Sequence, residues 1–589
     1  MTTTQRPPAR SHQHAHEGAP PEAQGRVLSG ADILLECLKH ARATTVFGYP
    51  GGVVLPLYDR LPAHPEVRHI LVRHEQGGGH AADAYARATG ELGVALATSG
   101  PGATNLVTAV QNAMMDSVPV LFLTGNVARN LIGRDGFQEA DATGILMPAV
   151  KHNYLVMRAQ DLAPTFAEAI YLATTGRPGP VHIDIPKDVF LEEAEFRWPE
   201  RVHVRGYQVP GAADEDEIRA AAEAIDAAER PIILAGHGIV ISRASEELQA
   251  FAERAGIPVL TTLLGLGGLD QRHALSYGMM GMHGSYHANM AASNADVIIG
   301  LGMRMDDRAL GRFADLNPDA TVIHVDIDPA EHNKNIHTAF PIVGDVKETL
   351  PQLTAAVRRA SHPEWVRWID DLARAHAASL SVPEGPELTV QFVVQQIARA
   401  HADDDEDAII VTGVGQHQMW AAQHMNISRP RQLITSGGLG TMGFEVPAAL
   451  GAQVARPGAS VWSICGDGGF QMTFQEIATM VDEQTPVKLA IMNNGYLGMV
   501  RQWQELFYKD NYVAVSMSQP DFIKIAEAYG IKGIRVDEPG QVDEAIREAD
   551  AHPGPVLLDF RVTADDNVWP MVPAGAALSE TVESADEVA

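Results

Sequence analysis

The sequence predicts an α/β protein built from three doubly wound parallel-sheet domains. Three observations carry this expectation. The chain has 589 residues, too many for one hydrophobic core at roughly 100–200 residues per domain. Short apolar runs recur along it, each closed by Gly, Pro or Asp and separated from the next by an amphipathic helical stretch, which is the rhythm of parallel strands covered on both faces. That rhythm stops and restarts twice.

The elements follow in order. Residues 1–26 are polar, rich in Pro and His, and read as a disordered tail. They lack the apolar core of a secretory signal. His12, His14 and His16 offer at most a weak metal tract. The first domain, 27–190, carries strands at Thr45–Phe47, Gly93–Ala97, Val118–Leu123 and Pro180–Pro186. A charged, proline-bearing stretch, 191–215, reads as a linker. The second domain, 215–360, carries Pro231–Ala235 running into Gly236-His237-Gly238, Ala295–Ile299 into Gly300-Leu301-Gly302, and Thr321–Val325 into Asp326-Ile327-Asp328. Gly and Asp at strand ends suit a nucleotide site. A polar stretch, 361–388, reads as a second linker. The third domain, 388–570, carries Ala408–Thr412, Ser460–Ile464, Val487–Ile491 and Val556–Phe560. Residues 575–589, rich in Ala, Glu and Ser, read as a second disordered tail.

Composition narrows the function. A formal net charge of −30 leaves no basic surface for nucleic acid or an anionic membrane. Small anions remain possible, held by backbone N–H groups and a few local cations. No apolar run is long enough to span a bilayer, so the expectation is a cytoplasmic enzyme. The two cysteines, Cys37 and Cys465, have no ligand spacing, which disfavours a disulfide framework or a zinc site.

The strongest motif is Cys465-Gly466-Asp467-Gly468-Gly469, followed on the next strand by Asn493-Asn494. Magnesium takes near-octahedral oxygen ligands, a few from protein and the rest from phosphate and water. Asp467 offers a carboxylate, Asn494 an amide oxygen, and Tyr496 a backbone carbonyl. Gly466, Gly468 and Gly469 let backbone N–H groups approach phosphate oxygens. Each motif alone also reads as an ordinary strand-end turn. The pair points to a bound diphosphate. In the first domain, Glu75 stands between a strand ending at Val72 and a helix of small residues. A charge at a helix start is a common reason for such a Glu.

Together these residues resemble the thiamine-diphosphate enzymes, whose signature is GDG followed by NN. Further stretches resemble the acetolactate synthase catalytic subunits: Phe47–Gly52, Gly136-Phe137-Gln138-Glu139, Gly437–Gly443, Val414-Gly415-Gln416-His417 and Gly498-Met499-Val500-Arg501-Gln502-Trp503-Gln504. The likeness runs from about residue 27 to 570. It implies a thiamine-diphosphate-enzyme fold with a Rossmann-like middle domain, and a transferase that decarboxylates pyruvate and joins the two-carbon unit to pyruvate or 2-oxobutanoate. That is the first common step toward valine, leucine and isoleucine.

The resemblance also assigns roles. Glu75 becomes the group that activates the cofactor's pyrimidine ring. Gly51 and Gln138 orient intermediates, Lys187 meets a substrate carboxylate, Met442 bends the cofactor, and Trp503 shapes the pocket for the second keto acid. Lys187 as a surface lysine and Trp503 as a core aromatic stay open from the residues alone. Thiamine diphosphate would be held by Glu75, Val414, Gly415, Gln416, His417, Gly440, Met442, Gly466, Asp467, Gly468, Gly469, Asn494, Tyr496, Gly498 and Met499. The metal ligands would be Asp467, Asn494 and Tyr496.

A structural FAD is implied in the middle domain, at Arg177, Gly236, Gly238, Thr262, Leu263, Gly281, Met282, His283, Gly302, Arg304, Asp306, Arg308, Asp326, Ile327, Glu331, Gly344, Asp345 and Val346. Arginines suit a pyrophosphate and strand-end acids suit ribose hydroxyls. A homodimer or homotetramer is implied because Glu75 and the diphosphate motif come from different subunits in the family, and the resemblance also implies a small regulatory subunit. Two positions depart from the pattern: Glu445 stands where Gly is usual, and Ala128 where Pro is common. The rival reading is another thiamine-diphosphate enzyme, such as pyruvate oxidase or a catabolic acetolactate synthase.

Overall fold

The computed structural model describes residues 23–383, 385–402 and 407–588. Of the expected disordered tail, 1–26, residues 1–22 lie outside the described residues. The chain divides into two compact units, Met1–Val209 and Pro210–Ala589.

The first unit is a six-stranded sheet, parallel throughout, in the order Arg68–Leu71, Thr45–Gly48, Gly93–Ala97, Val120–Asn126, Val181–Pro186, His152–Leu155. Numbered along the chain, that order is 2-1-3-4-6-5. Strands such as Gly93–Ala97 and Val120–Asn126 are buried along their whole length, as expected where helices cover both faces. A small antiparallel pair, Val27–Ser29 with Glu193–Glu195, joins the start of the unit to its end. Phe196 and Trp198 are buried beside it. The opening part of the 191–215 stretch is therefore packed structure, because its apolar residues find a partner far away in sequence. Ala23, at the end of the expected tail, is buried too.

The second unit contains two more six-stranded parallel sheets. The middle sheet runs Ser276–Met279, Val259–Thr261, Pro231–Ala235, Val297–Leu301, Thr321–Asp326, Phe340–Val343. Its chain order is 3-2-1-4-5-6, the dinucleotide-binding arrangement. The C-terminal sheet runs Leu433–Thr435, Ile409–Thr412, Val461–Gly466, Lys488–Asn493, Val556–Arg561, Lys532–Val536. Its order is again 2-1-3-4-6-5, so the first and third sheets share one topology.

Two readings of polar composition are corrected. The 361–388 stretch contains a helix, Pro363–Ala375, whose Trp365 and Ile369 are buried at helical spacing. Trp365 Nε1 donates to Pro231 O at 3.0 Å. Residues 575–588 are ordered as well. Ala577 pairs with Gly311, Leu578 and Thr581 are buried, and Arg312 binds Glu580 at 2.8 Å. These segments are held by partners far away in sequence, which their polar composition does not reveal.

Candidate active site

In open parallel sheets, ligands bind beyond the strand C-termini where the strand order reverses. In the first unit that point lies between Thr45–Gly48 and Gly93–Ala97. The segments leaving these strands are Tyr49–Gly52 and Thr98–Gly102, and they touch: a Cβ on Gly51 would lie 2.4 Å from the Thr98 side chain. Glu75 opens the helix Glu75–Thr89, capped by His74, whose Nδ1 accepts from Gln76 N at 3.1 Å. The glycines of this helix have a packing reason. A Cβ on Gly79 would lie 2.4 Å from Ala109 Cβ, so only Gly lets the helix seat against Val107–Met115. Buried Arg87, bridging Asp83 and Asp116 at 2.5 and 2.8 Å, anchors its far end.

Glu75 is half-buried and Asn105 Nδ2 donates to its Oε2 at 2.9 Å. A Cβ on Gly102 would lie 3.3 Å from the other carboxyl oxygen, Oε1. Gln138, at φ 58°, sits against the same turn, with its Cα 3.0 Å from a Cβ placed on Gly100. Glu139 holds that loop by accepting from Gly136 N at 2.8 Å. Gly51, Glu75 and Gln138 therefore converge on the 98–102 turn. Lys187 begins the short helix after Val181–Pro186 and is exposed. Thr98 and Asn105 are contributors that the sequence reading missed. The Ser99-Gly100-Pro101-Gly102 turn after a buried strand was the available signal. The Thr98 and Ser99 hydroxyls are buried without a hydrogen-bond partner.

The C-terminal sheet repeats the plan. Its reversal point lies between Ile409–Thr412 and Val461–Gly466, whose exits are Gly413–His417 and Asp467. Asp467 opens the helix Asp467–Thr473, is 2% exposed, and accepts from Gly495 N at 2.7 Å. Burial pushes its carboxyl up to about 6, against the pull of the Gly495, Gly468 and Asn494 amides. Asn494 Oδ1 accepts from Tyr496 N at 3.0 Å.

The remaining motif residues close around this pair. His417 lies 2.8 Å from a Cβ placed on Gly466, and its Nε2 is buried without a partner. Burial holds its imidazole down at about 4. Gly440, at φ 72°, faces Val414, and a Cβ on Gly468 would lie 2.7 Å from Leu497 and 3.6 Å from Met442. Gly498 faces Gln416, whose Oε1 would lie 2.0 Å from a Cβ there. Met499 packs against the C-terminal core. Trp503, half-buried on the helix Gly498–Phe507, lies 5.0 Å from the Phe507 ring. A hard oxygen donor set beside amide-lined turns fits a metal-bound diphosphate.

Glu445 stands directly behind this cradle. It is fully buried, and neither carboxyl oxygen closes a hydrogen bond. Cβ atoms on Gly413 and Gly469 would lie 2.4 and 2.3 Å from its carboxyl group. Burial pushes this carboxyl up to about 7, with the Glu445 and Gly443 amides pulling weakly the other way. An unfolded Glu titrates near ~4.3. Between the two values the folded chain holds a proton that the unfolded chain has lost. Stability therefore falls as pH rises through that window and stays lower above it. Glu445→Gln is expected to match the parent at pH 4 and to exceed it by on the order of 3 kcal/mol at pH 8, read from denaturant unfolding of the cofactor-free protein. A pH-independent difference would contradict this account.

In the middle sheet, all six strands deliver expected flavin residues at one edge: Gly281, Thr262, Gly236, Gly302, Asp326 and Gly344. Gly236 and Gly238 pack on the Gly302–Met303 backbone, 2.4–2.6 Å from a would-be Cβ, so loop packing already demands glycine there. Thr262 caps the turn Leu263–Gly265. Arg304 lies 3.3 Å from Asp306, which caps the helix Asp307–Leu310 holding Arg308. Met282 N donates to Arg308 O at 2.9 Å, and His283 is buried with an unpartnered Nδ1. Ile327 follows Asp326, which accepts from Asp328 N at 2.9 Å. Buried Glu331 meets Lys334 at 3.0 Å, and Asp345 caps the helix beginning at Val346. Cations and strand-end acids on one edge fit a dinucleotide. Arg177 belongs to the first unit, where its Nε donates to Ser117 Oγ at 2.9 Å.

Comparison with known proteins agrees with this geometry. Residues 28–145 match the N-terminal TPP binding domain of thiamine pyrophosphate enzymes, 218–353 the central domain, and 413–560 the C-terminal TPP binding domain. The acetolactate synthase of Mycobacterium bovis is 46% identical over 94% of this chain and 91% of its own. The chain belongs to the acetolactate synthase family of thiamine pyrophosphate enzymes. The large subunit of Corynebacterium glutamicum is 46% identical over 94% of this chain and 90% of its own. A probable large subunit from Methanocaldococcus jannaschii is 44% identical over 94% and 95%. Acetolactate synthase family members are thiamine-diphosphate-dependent transferases, and this chain carries all three of their domains. Among the described residues, no helix is long and apolar enough to cross a membrane.

Proposed function

We propose that this chain is the catalytic subunit of a cytoplasmic acetolactate synthase acting on pyruvate, with pyruvate or 2-oxobutanoate as acceptor. The observation that carries the reading is the convergence of the Asp467 and Asn494 motifs with Gln416, His417, Met442 and Gly498 at one reversal point. Bound thiamine diphosphate supplies the electron sink that lets a 2-keto acid lose carbon dioxide.

The chain's own groups do the rest. Asp467, Asn494 and the Tyr496 carbonyl would hold magnesium, and the Val414–His417 turn would cradle the diphosphate. Glu75, steadied by Asn105, holds a proton at the cofactor's ring nitrogen. Gly51 and Gln138 form the wall over which the keto acid passes, and Lys187 attracts its carboxylate. Arg304, Arg308, Asp326 and Glu331 would hold a structural FAD, the arginines suiting its phosphates and the acids its hydroxyls. The protein works as a homodimer or homotetramer with a small regulatory subunit.

The direct test is product analysis with pyruvate, magnesium and thiamine diphosphate, with and without 2-oxobutanoate. Acetolactate and its ethyl homologue are expected; acetaldehyde or acetyl phosphate as the main product would refute the reading. Trp503→Leu removes a flat wall that senses one methylene. It is expected to lower the preference for 2-oxobutanoate over pyruvate by roughly tenfold, measured as the product ratio in competition. An unchanged ratio would return Trp503 to a packing role.

A further inference from the structure

We propose that Gln502 is a positioning residue that locks the diphosphate turn, the Trp503 helix and the C-terminal segment from Val568 into one register. The inference rests on the reading above of Val414–His417 as the diphosphate turn and of Trp503 as the acceptor wall.

Gln502 is 1% exposed, and its side-chain amide is saturated within the chain. Oε1 accepts from Gln416 Nε2 at 3.0 Å and from Val568 N at 2.9 Å. Nε2 donates to Val568 O at 3.2 Å and approaches Met571 Sδ at 3.7 Å. A glutamine amide has two acceptor sites and two donor hydrogens, and all four are used here. No other side chain of this length meets that pattern. Glutamate would lose both donors, and an apolar residue would strand the Val568 N–H and C=O in a dry site.

The consequences run two ways. Toward the cofactor, Gln416 Nε2 spends its other hydrogen on Asp566 O at 2.9 Å. With its nitrogen fixed twice, Gln416 turns its oxygen toward Gly498. Toward the C-terminus, Met571 exchanges backbone hydrogen bonds with Val582 at 2.9 Å, and Val572 N donates to Met282 O at 2.7 Å. Gln423 Nε2 ties the same region by donating to His283 O at 2.9 Å and Trp569 O at 3.2 Å. Trp503 adjoins Gln502 on the helix, so its position follows wherever this hub is pinned.

The test uses the full chain and its Gln502→Met variant. Thiamine diphosphate affinity is measured with magnesium by calorimetry, independently of turnover, and the product ratio in pyruvate/2-oxobutanoate competition is measured alongside. Q502M is expected to weaken cofactor binding about tenfold and to move the product ratio at least about threefold. A merely structural role would lower the unfolding temperature and leave the ratio alone, and that result overturns the proposal. If Q502M does not fold, Gln416→Met cuts the same contact from the other side. A shifted product ratio in Q416M supports the lock, and weaker cofactor binding with an unchanged ratio overturns it. Failure of the parent chain to form acetolactate would instead refute the activity, so the two failures are distinct.

Discussion

Replacing Glu75 by Gln is expected to slow acetolactate formation by about 10²–10⁴-fold, the range of a lost proton-transferring group, while leaving the fold in place. The geometry separates the two effects. Glu75 is the first residue of its helix and half-buried, so no core contact depends on its charge. A glutamine oxygen can keep the 2.9 Å bond from Asn105. What is lost is the favourable charge at a helix start, about 0.3–1 kcal/mol, and the ability to share a proton. The variant should therefore bind thiamine diphosphate and unfold within a few degrees of the parent while turning over poorly. Asn105→Ala is the graded control: it frees the carboxylate without removing it, and a loss of about tenfold is expected. Parent-level turnover by E75Q, assayed with saturating cofactor and magnesium, would remove Glu75 from the mechanism.

The strand runs were legible because buried parallel strands are continuous apolar segments. The apolar runs Pro180–Pro186 and Ser460–Ile464 mark two of them from hydropathy alone, and the strands fall at Val181–Pro186 and Val461–Gly466. The order of those strands was not legible. That the first and third sheets share one arrangement depends on which strands pair at distances of tens of residues, and no local pattern encodes that. The site was readable where chemistry demands rare residue combinations, as at Asp467 and Asn494. It was not readable where ordinary residues act through position. Thr98 and Asn105 carry no motif of their own, and Gln502 lies inside the Gly498–Gln504 stretch with no role that the stretch itself spells out; their roles come from the turn or helix on which they fall. The C-terminal segment failed for a related reason. Its Ala, Glu and Ser content looks disordered, but Leu578 and Thr581 are buried, and Asn289 Nδ2 donates to Thr581 Oγ1 at 3.0 Å.

Asp467→Asn is expected to move stability and function in opposite directions. In the cofactor-free chain, Asp467 is a carboxylate at 2% exposure that accepts from the backbone amide of Gly495. Burial raises its proton affinity, to about 6. An acid with a raised folded value costs the fold stability above that value, because the unfolded chain ionises without penalty. Asparagine removes the charge and can keep the Gly495 bond through its oxygen. Unfolding of the cofactor-free variant near pH 7.5 should thus occur about 1–2 kcal/mol higher than in the parent, part of the gain being lost where an NH₂ group meets the Gly468 amide. Magnesium and thiamine diphosphate should reverse the ranking. At a hundred times its dissociation constant a ligand stabilises the parent by about 2.7 kcal/mol. A site without its only carboxylate ligand should bind at least about 100-fold more weakly and gain almost nothing. Unfolding midpoints measured with and without both ligands decide the matter. Equal ligand-induced shifts in D467N and the parent would show that the metal is held elsewhere, and the diphosphate site would have to be moved from this strand end.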